Sequence, residues 1–103
     1  MYTMKDILTI VHKSGIESAI VTIVFELEQL GLDSLAESIF IEDYELHSDL
    51  TRTLVQTKQQ CSEEEFSMND YHYAQSLLDF HYQLEILSKY CGGSIRLNGA
   101  SNL

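Results

Sequence analysis

A chain of 103 residues with 45% hydrophobic side chains, four Phe and six Tyr has enough apolar material for one domain with a modest core. That composition excludes a disordered acidic tail. Sixteen acidic against six basic side chains give a formal net charge of −10, with no Lys or Arg between Lys13 and Arg52 or between Lys58 and Lys89. The charge excludes proteins that grip phosphates with clustered cations, so direct nucleic-acid binding and anionic membrane surfaces are not expected. Its natural complement is a basic surface on another protein.

No proline and only five glycines favour long, uninterrupted helices. Met4, Ile7, Leu8 and Val11 follow the i, i+3, i+4, i+7 spacing of a short amphipathic helix. Ser14 followed three residues later by Glu17 has the pattern of a capping box, which predicts a second helix from about Gly15 to Leu30 that stops at Gly31. Ile16, Ala19, Ile20, Val21, Ile23, Val24, Phe25, Leu27 and Leu30 cover most of its circumference, leaving Ser18, Thr22, Glu26 and Gln29 as a polar stripe. A helix so apolar is either central in the fold or pressed against a second subunit, and its β-branched run also fits a buried strand.

Asp33, Ser34 and Glu37 give another capping pattern. From there Leu35, Ile39, Leu46, Leu50 and Leu54 share one helical face, with Ser38, Glu42, Glu45, Asp49, Arg52 and Gln56 opposite. The register holds to about Gln60 and predicts one long helix. Asp43 falls on the apolar side, which marks residues 42 to 48 for a bend, with Ser48 available as a fresh N-cap. Ser62 to Glu65 places acids at the start of a last helix, where they complement the dipole. Phe66, Tyr73, Leu77, Phe80, Leu84, Leu87 and Cys91 then form an a/d seam that ends at Gly92 and Gly93. The expected fold is all-α: a small bundle of about four helices, two short and two long, in residues 1–93, dimerising through apolar helix faces. Residues 94–103 are read as a flexible tail.

The stretch "EDYELHSD" (42–49) puts four carboxylates and a histidine in eight positions. An EF-hand loop starting at Asp43 needs Gly sixth and Glu twelfth, where this chain has Ser48 and Leu54. No Glu precedes any of His12, His47, His72 or His81 by three positions, and HExxH is absent, so no metal or cofactor is expected. Asp43/His47 and His81/Glu85 are i, i+4 pairs of the kind that form helical ion pairs. No phosphate loop and no G-x-S-x-G elbow occurs, so the chain is read as no enzyme. His81, beside the seam, is expected as a core-edge histidine with one hydrogen bond, and Asp70 lies on the same stripe. Cys61 and Cys91 lie far apart with no Cys-x-x-Cys, and "MYTMKDILTIVHKSG" has no basic n-region followed by an apolar run. Both fit a cytoplasmic protein with reduced thiols.

Two surfaces stand out for partner binding. Glu42, Glu45 and Asp49 form an acidic stripe, diluted one turn on by Arg52. Met68, Tyr71, Tyr82, Ile86 and Tyr90 leave an aromatic surface on the last helix, of the type that interfaces favour. The function read from these features is a small acidic protein that binds a basic protein partner, as regulator, inhibitor or adaptor. The alternative is a polyanion mimic that blocks a nucleic-acid-binding protein such as a nuclease or repressor.

Overall fold

The computed structural model describes residues 1–41 and 47–90, without the side chains of Phe40, Ile41 and Tyr90. The described residues are all-α: α1 (Met4–Ser14), α2 (Ile16–Gln29), α3 (Asp33–Ile41), α4 (His47–Gln60) and α5 (Met68–Tyr90).

Both ends of α1 and of α2 have local causes. Thr3 caps α1: its hydroxyl accepts the Asp6 N–H at 3.2 Å, and the Asp6 carboxylate accepts the Thr3 N–H at 2.9 Å. The capping box expected at Ser14 and Glu17 is not formed. Ser14 is the last residue of α1, and Gly15, at φ +97°, ends that helix and starts the next without a side-chain cap. The reversal between two helices needs a left-handed residue, so glycine takes the junction in place of a hydroxyl cap. Gly31, at φ +83°, closes α2 as expected. Its N–H bonds to the Glu28 carbonyl at 2.9 Å and that of Leu32 to the Leu27 carbonyl at 3.0 Å, the paired bonds of a Schellman motif. Leu27 and Leu32 are both buried, which supplies the motif's apolar contact.

Of the long helix expected over residues 34–60, the described parts are α3 and α4, and residues 42–46 between them lie outside the described residues. Leu35, Ala36 and Ile39 bury against α2, whereas Leu50 and Leu54 bury against α5. Asp43, the residue that marked the bend, lies outside the described residues, and the expected cap Ser48 lies within α4.

The last helix also starts later than its acids indicate. Ser62 and Glu65 do exchange reciprocal bonds of 2.8 and 3.2 Å, but they close a separate turn. The helix opens at Met68, where the Ser67 hydroxyl accepts the Asp70 N–H at 3.1 Å. Phe66 is buried between the two turns and holds the chain inward there. The acids still serve the helix start, because Glu63 accepts the Met68 N–H at 2.8 Å.

The core is one apolar cluster drawn from all five helices. Its largest fully buried side chains are Ile7, Ile23, Leu27, Leu50, Leu54, Leu77, Leu78 and Leu84. Each such burial stabilises by about 1.5–3 kcal/mol relative to exposure. α2 is central, packing on α1, α3 and α5. On α5 the buried stripe is Tyr73, Ala74, Leu77, Leu78, His81 and Leu84. It is rotated from the expected a/d seam: Phe80 is half-buried, and Leu87 is 37% exposed. Cys91, Gly92, Gly93 and the expected tail lie outside the described residues.

Candidate functional site

α4 and α5 run antiparallel and are joined along one edge by a polar ladder. His47 Nε2 lies 2.8 Å from Asp79 Oδ1, and the His47 ring packs 4.8 Å from that of Tyr82. Gln75 reaches Thr51 Oγ1 at 3.5 Å and Asp79 at 3.2 Å. At the far end Lys58 donates to Glu63 at 3.1 Å and to the Phe66 carbonyl at 2.6 Å, with its ammonium 5.8 Å from the Phe66 ring centre. The Met68 N–H, and after it Lys58, hold the Glu63 carboxyl below its ordinary range. These groups are used in holding the hairpin together.

Of the expected acidic stripe, Asp49 is paired with Arg52 at 2.5 Å, and Glu42 and Glu45 lie outside the described residues. The expected aromatic surface does not form one patch. Met68 is 48% exposed at the start of α5 and Tyr82 is 43% exposed about 21 Å further along the axis, at 1.5 Å per residue. Between them Gln75 and Asp79 are engaged with α4. Tyr71 is half-buried with its ring edge-on to Phe66 at 6.3 Å, Ile86 is half-buried, and the side chain of Tyr90 lies outside the described residues. His81 is buried, with Nε2 3.8 Å from the Glu85 carboxylate, and Asp70 sits in the first turn of α5. Among the described residues no three His, Cys, Asp or Glu side chains come together as metal ligands. Cys61 is a half-buried free thiol.

The outer face of α2 is not where the apolar pattern put it. Ser18 and Thr22 donate back to the carbonyls of Ser14 and Ser18, and Glu26 accepts the Tyr73 hydroxyl at 2.8 Å, so all three are half-buried. Tyr73 in turn accepts the Tyr2 N–H at 2.9 Å. Burial, and secondarily the Glu26 carboxylate, push the Tyr73 phenol up to about 12. With Glu26 turned toward α5, Val21 and Phe25 face outward, 52% and 54% exposed. They line an open groove of about 500 Å³ between α2 and α3, together with Val24, Ala36 and Ser34 and the carboxylates Glu28, Asp33 and Glu37.

This groove is the site that sequence reasoning missed, although a signal was present. Glu17, Val21, Phe25 and Glu28 share one stripe at i, i+4, i+8 and i+11. Two acids bracketing an apolar pair mark a surface-facing strip, because a carboxylate cannot enter a core without a partner.

Comparison with known protein families, characterised proteins and solved structures finds no match to this chain. The fold and the groove define an acidic, all-α protein in which, among the described residues, no helix is long and apolar enough to cross a membrane.

Proposed function

We propose that this protein acts by binding another protein, as a regulator, inhibitor or adaptor, with no chemistry of its own. The observation that carries the reading is the adjacent pair Val21 and Phe25, more than half exposed at the edge of a groove on a chain of formal charge −10. A contiguous apolar strip rimmed by polar groups is what interaction surfaces present to a partner. The polyanion-mimic alternative draws less support, since Asp49, the stripe residue among the described ones, shares its charge with Arg52.

The test begins with capture of partners from the producing cells on the immobilised full-length chain, at low and at high salt. The captured protein is then purified and the pair re-formed for analytical ultracentrifugation. A defined complex of the two purified proteins is the expected result. Recovery of nothing but abundant basic proteins that release at high salt and do not re-form a complex would remove the reading. Turnover of a substrate by the purified chain would remove it as well.

A further inference from the structure

We propose that the α2–α3 groove is a docking site for a short basic amphipathic segment of the partner, its apolar side chains seated on Val21, Phe25 and Val24 and its Lys or Arg side chains meeting Glu28, Asp33 and Glu37. This deepens the partner-binding reading and rests on it.

Charge complementarity selects the occupant. The rim carries three carboxylates from two helices. The chain contributes no Lys or Arg anywhere between Lys13 and Arg52, so neither α2 nor α3 can supply a countercharge. Among the described ion pairs, the Lys and Arg partners are Arg52, on Asp49, and Lys58, on Glu63, both in the α4–α5 hairpin and away from the groove. Among the described residues no ion pair engages the rim acids, which leaves them for an external cation. An anionic lipid surface would be repelled by them. A second copy of this chain, placed on the same face by two-fold symmetry, would bring a second set of the same carboxylates opposite the first.

The shape fits the same occupant. Val21, Phe25 and Glu28 follow one another at i, i+4 and i+7 on α2, so the apolar strip is about 6 Å long and passes into an acid one turn later. A helical segment reads such a strip with one or two apolar anchors, its cations placed a turn away on either side. A groove of about 500 Å³ accommodates a few side chains, not a folded domain.

The test uses a displayed library of random 14-residue peptides, panned against the full-length protein and counter-panned against the double variant Phe25→Ala/Glu37→Lys. Circular dichroism first confirms that the variant is folded. The expected winners carry Lys or Arg flanking Leu, Ile or Phe at helical spacing. Synthesised winners should lose at least tenfold in affinity with Phe25→Ala, and several-fold more with Glu28→Lys/Glu37→Lys. Glu64→Lys, the same charge change at an exposed position away from the groove, should cost less than threefold. Winners that bind wild type and double variant alike, winners without basic residues, or no enrichment would each overturn the assignment of the groove. So would micromolar self-association of the protein that Phe25→Ala abolishes, because a second copy would then be the occupant. If the re-formed complex survives Phe25→Ala/Glu37→Lys, the docking site is wrong while the partner-binding reading stands. If wild type forms no defined complex, it is the broader reading that fails.

Discussion

The two helical hairpins of this protein use their polar groups in opposite ways. In α4–α5 they are turned onto the hairpin itself: His47 meets Asp79, Arg52 meets Asp49, and Lys58 ties Glu63 to the Phe66 carbonyl. In α2–α3 no such pairing is possible, because the segment has no Lys or Arg. Glu26 is taken by the Tyr73 hydroxyl, and Glu28, Asp33 and Glu37 remain on the rim of a groove whose wall is Phe25 and Val21. Net charge alone does not reveal this difference. What separates the hairpins is where the few cations fall, and it leaves one half of the surface internally satisfied and the other open to a partner.

The sharpest way to break the comparison is to remove the same side chain from each half. Phe66 is 3% exposed and lies against Tyr71 and the Lys58 ammonium in the α4–α5 turn. Phe66→Ala should destabilise the fold by about 3–5 kcal/mol, read as a lowered urea midpoint. A loss below about 1 kcal/mol would mean that this turn does not anchor the hairpin, and that its polar ladder does not mark a structural half.

Between the two halves stands Tyr73, which links α5 to Glu26 of α2 and to the amide of Tyr2. Tyr73→Phe leaves both groups without their partner and should cost about 1–3 kcal/mol. The phenol gives a second reading. Its folded pKa of about 12 lies above the ordinary 10.0, so the fold favours the protonated form. The stability it contributes is complete below pH 10 and falls as pH rises from 10 towards 12, where the folded protein also ionises. Ultraviolet titration of the six tyrosines should show one phenol ionising last, and Tyr73→Phe should remove that step. If every tyrosine ionises together near pH 10 while the fold is intact, the link between the halves is not as described.

How far the sequence discloses this arrangement depends on whether a feature is local. Gly31 as the end of α2 was readable, because a left-handed stop after an apolar run has a fixed chemistry. The all-α class was readable for a similar reason, since helical periodicity repeats along most of the chain. The separate packing of α3 and α4 was readable only in part: Asp43 on the apolar side marked a bend near residues 42 to 48, yet Leu35, Ile39, Leu50 and Leu54 keep one face in register although α3 and α4 pack on different partners. Periodicity records a face and not what covers it. The polar stripe of α2 failed for the same reason: Glu26 looks solvent-facing until Tyr73, 47 positions away, is placed against it. The groove follows from that rotation; its outward strip of Glu17, Val21, Phe25 and Glu28 was legible in the sequence, but the second wall from α3 needed the tertiary packing.

Gly31 tests the α2–α3 junction itself. A Cβ at this position meets nothing within 4 Å, so any penalty comes from the backbone at φ +83° and not from crowding. Gly31→Ala should therefore cost about 1–2 kcal/mol, the left-handed penalty of an L-residue. A neutral result would show that the turn relaxes and that the groove's two walls are not held in a fixed relation.

The smallest expected effect carries the most weight for function. Phe25 has the same side chain as Phe66 but is 54% exposed, so Phe25→Ala removes little buried area and should cost less than about 1 kcal/mol in the same urea experiment. A phenyl ring at that exposure on an acidic surface contributes little to folding and adds an apolar patch that works against solubility. If Phe25→Ala proves as costly as Phe66→Ala, the ring belongs to the core and the groove is a packing feature. If the stability is nearly unchanged while partner affinity falls at least tenfold, the fold does not need the ring and binding does. The contrast between two identical side chains in the two hairpins then separates the half that holds the protein together from the half that recognises another.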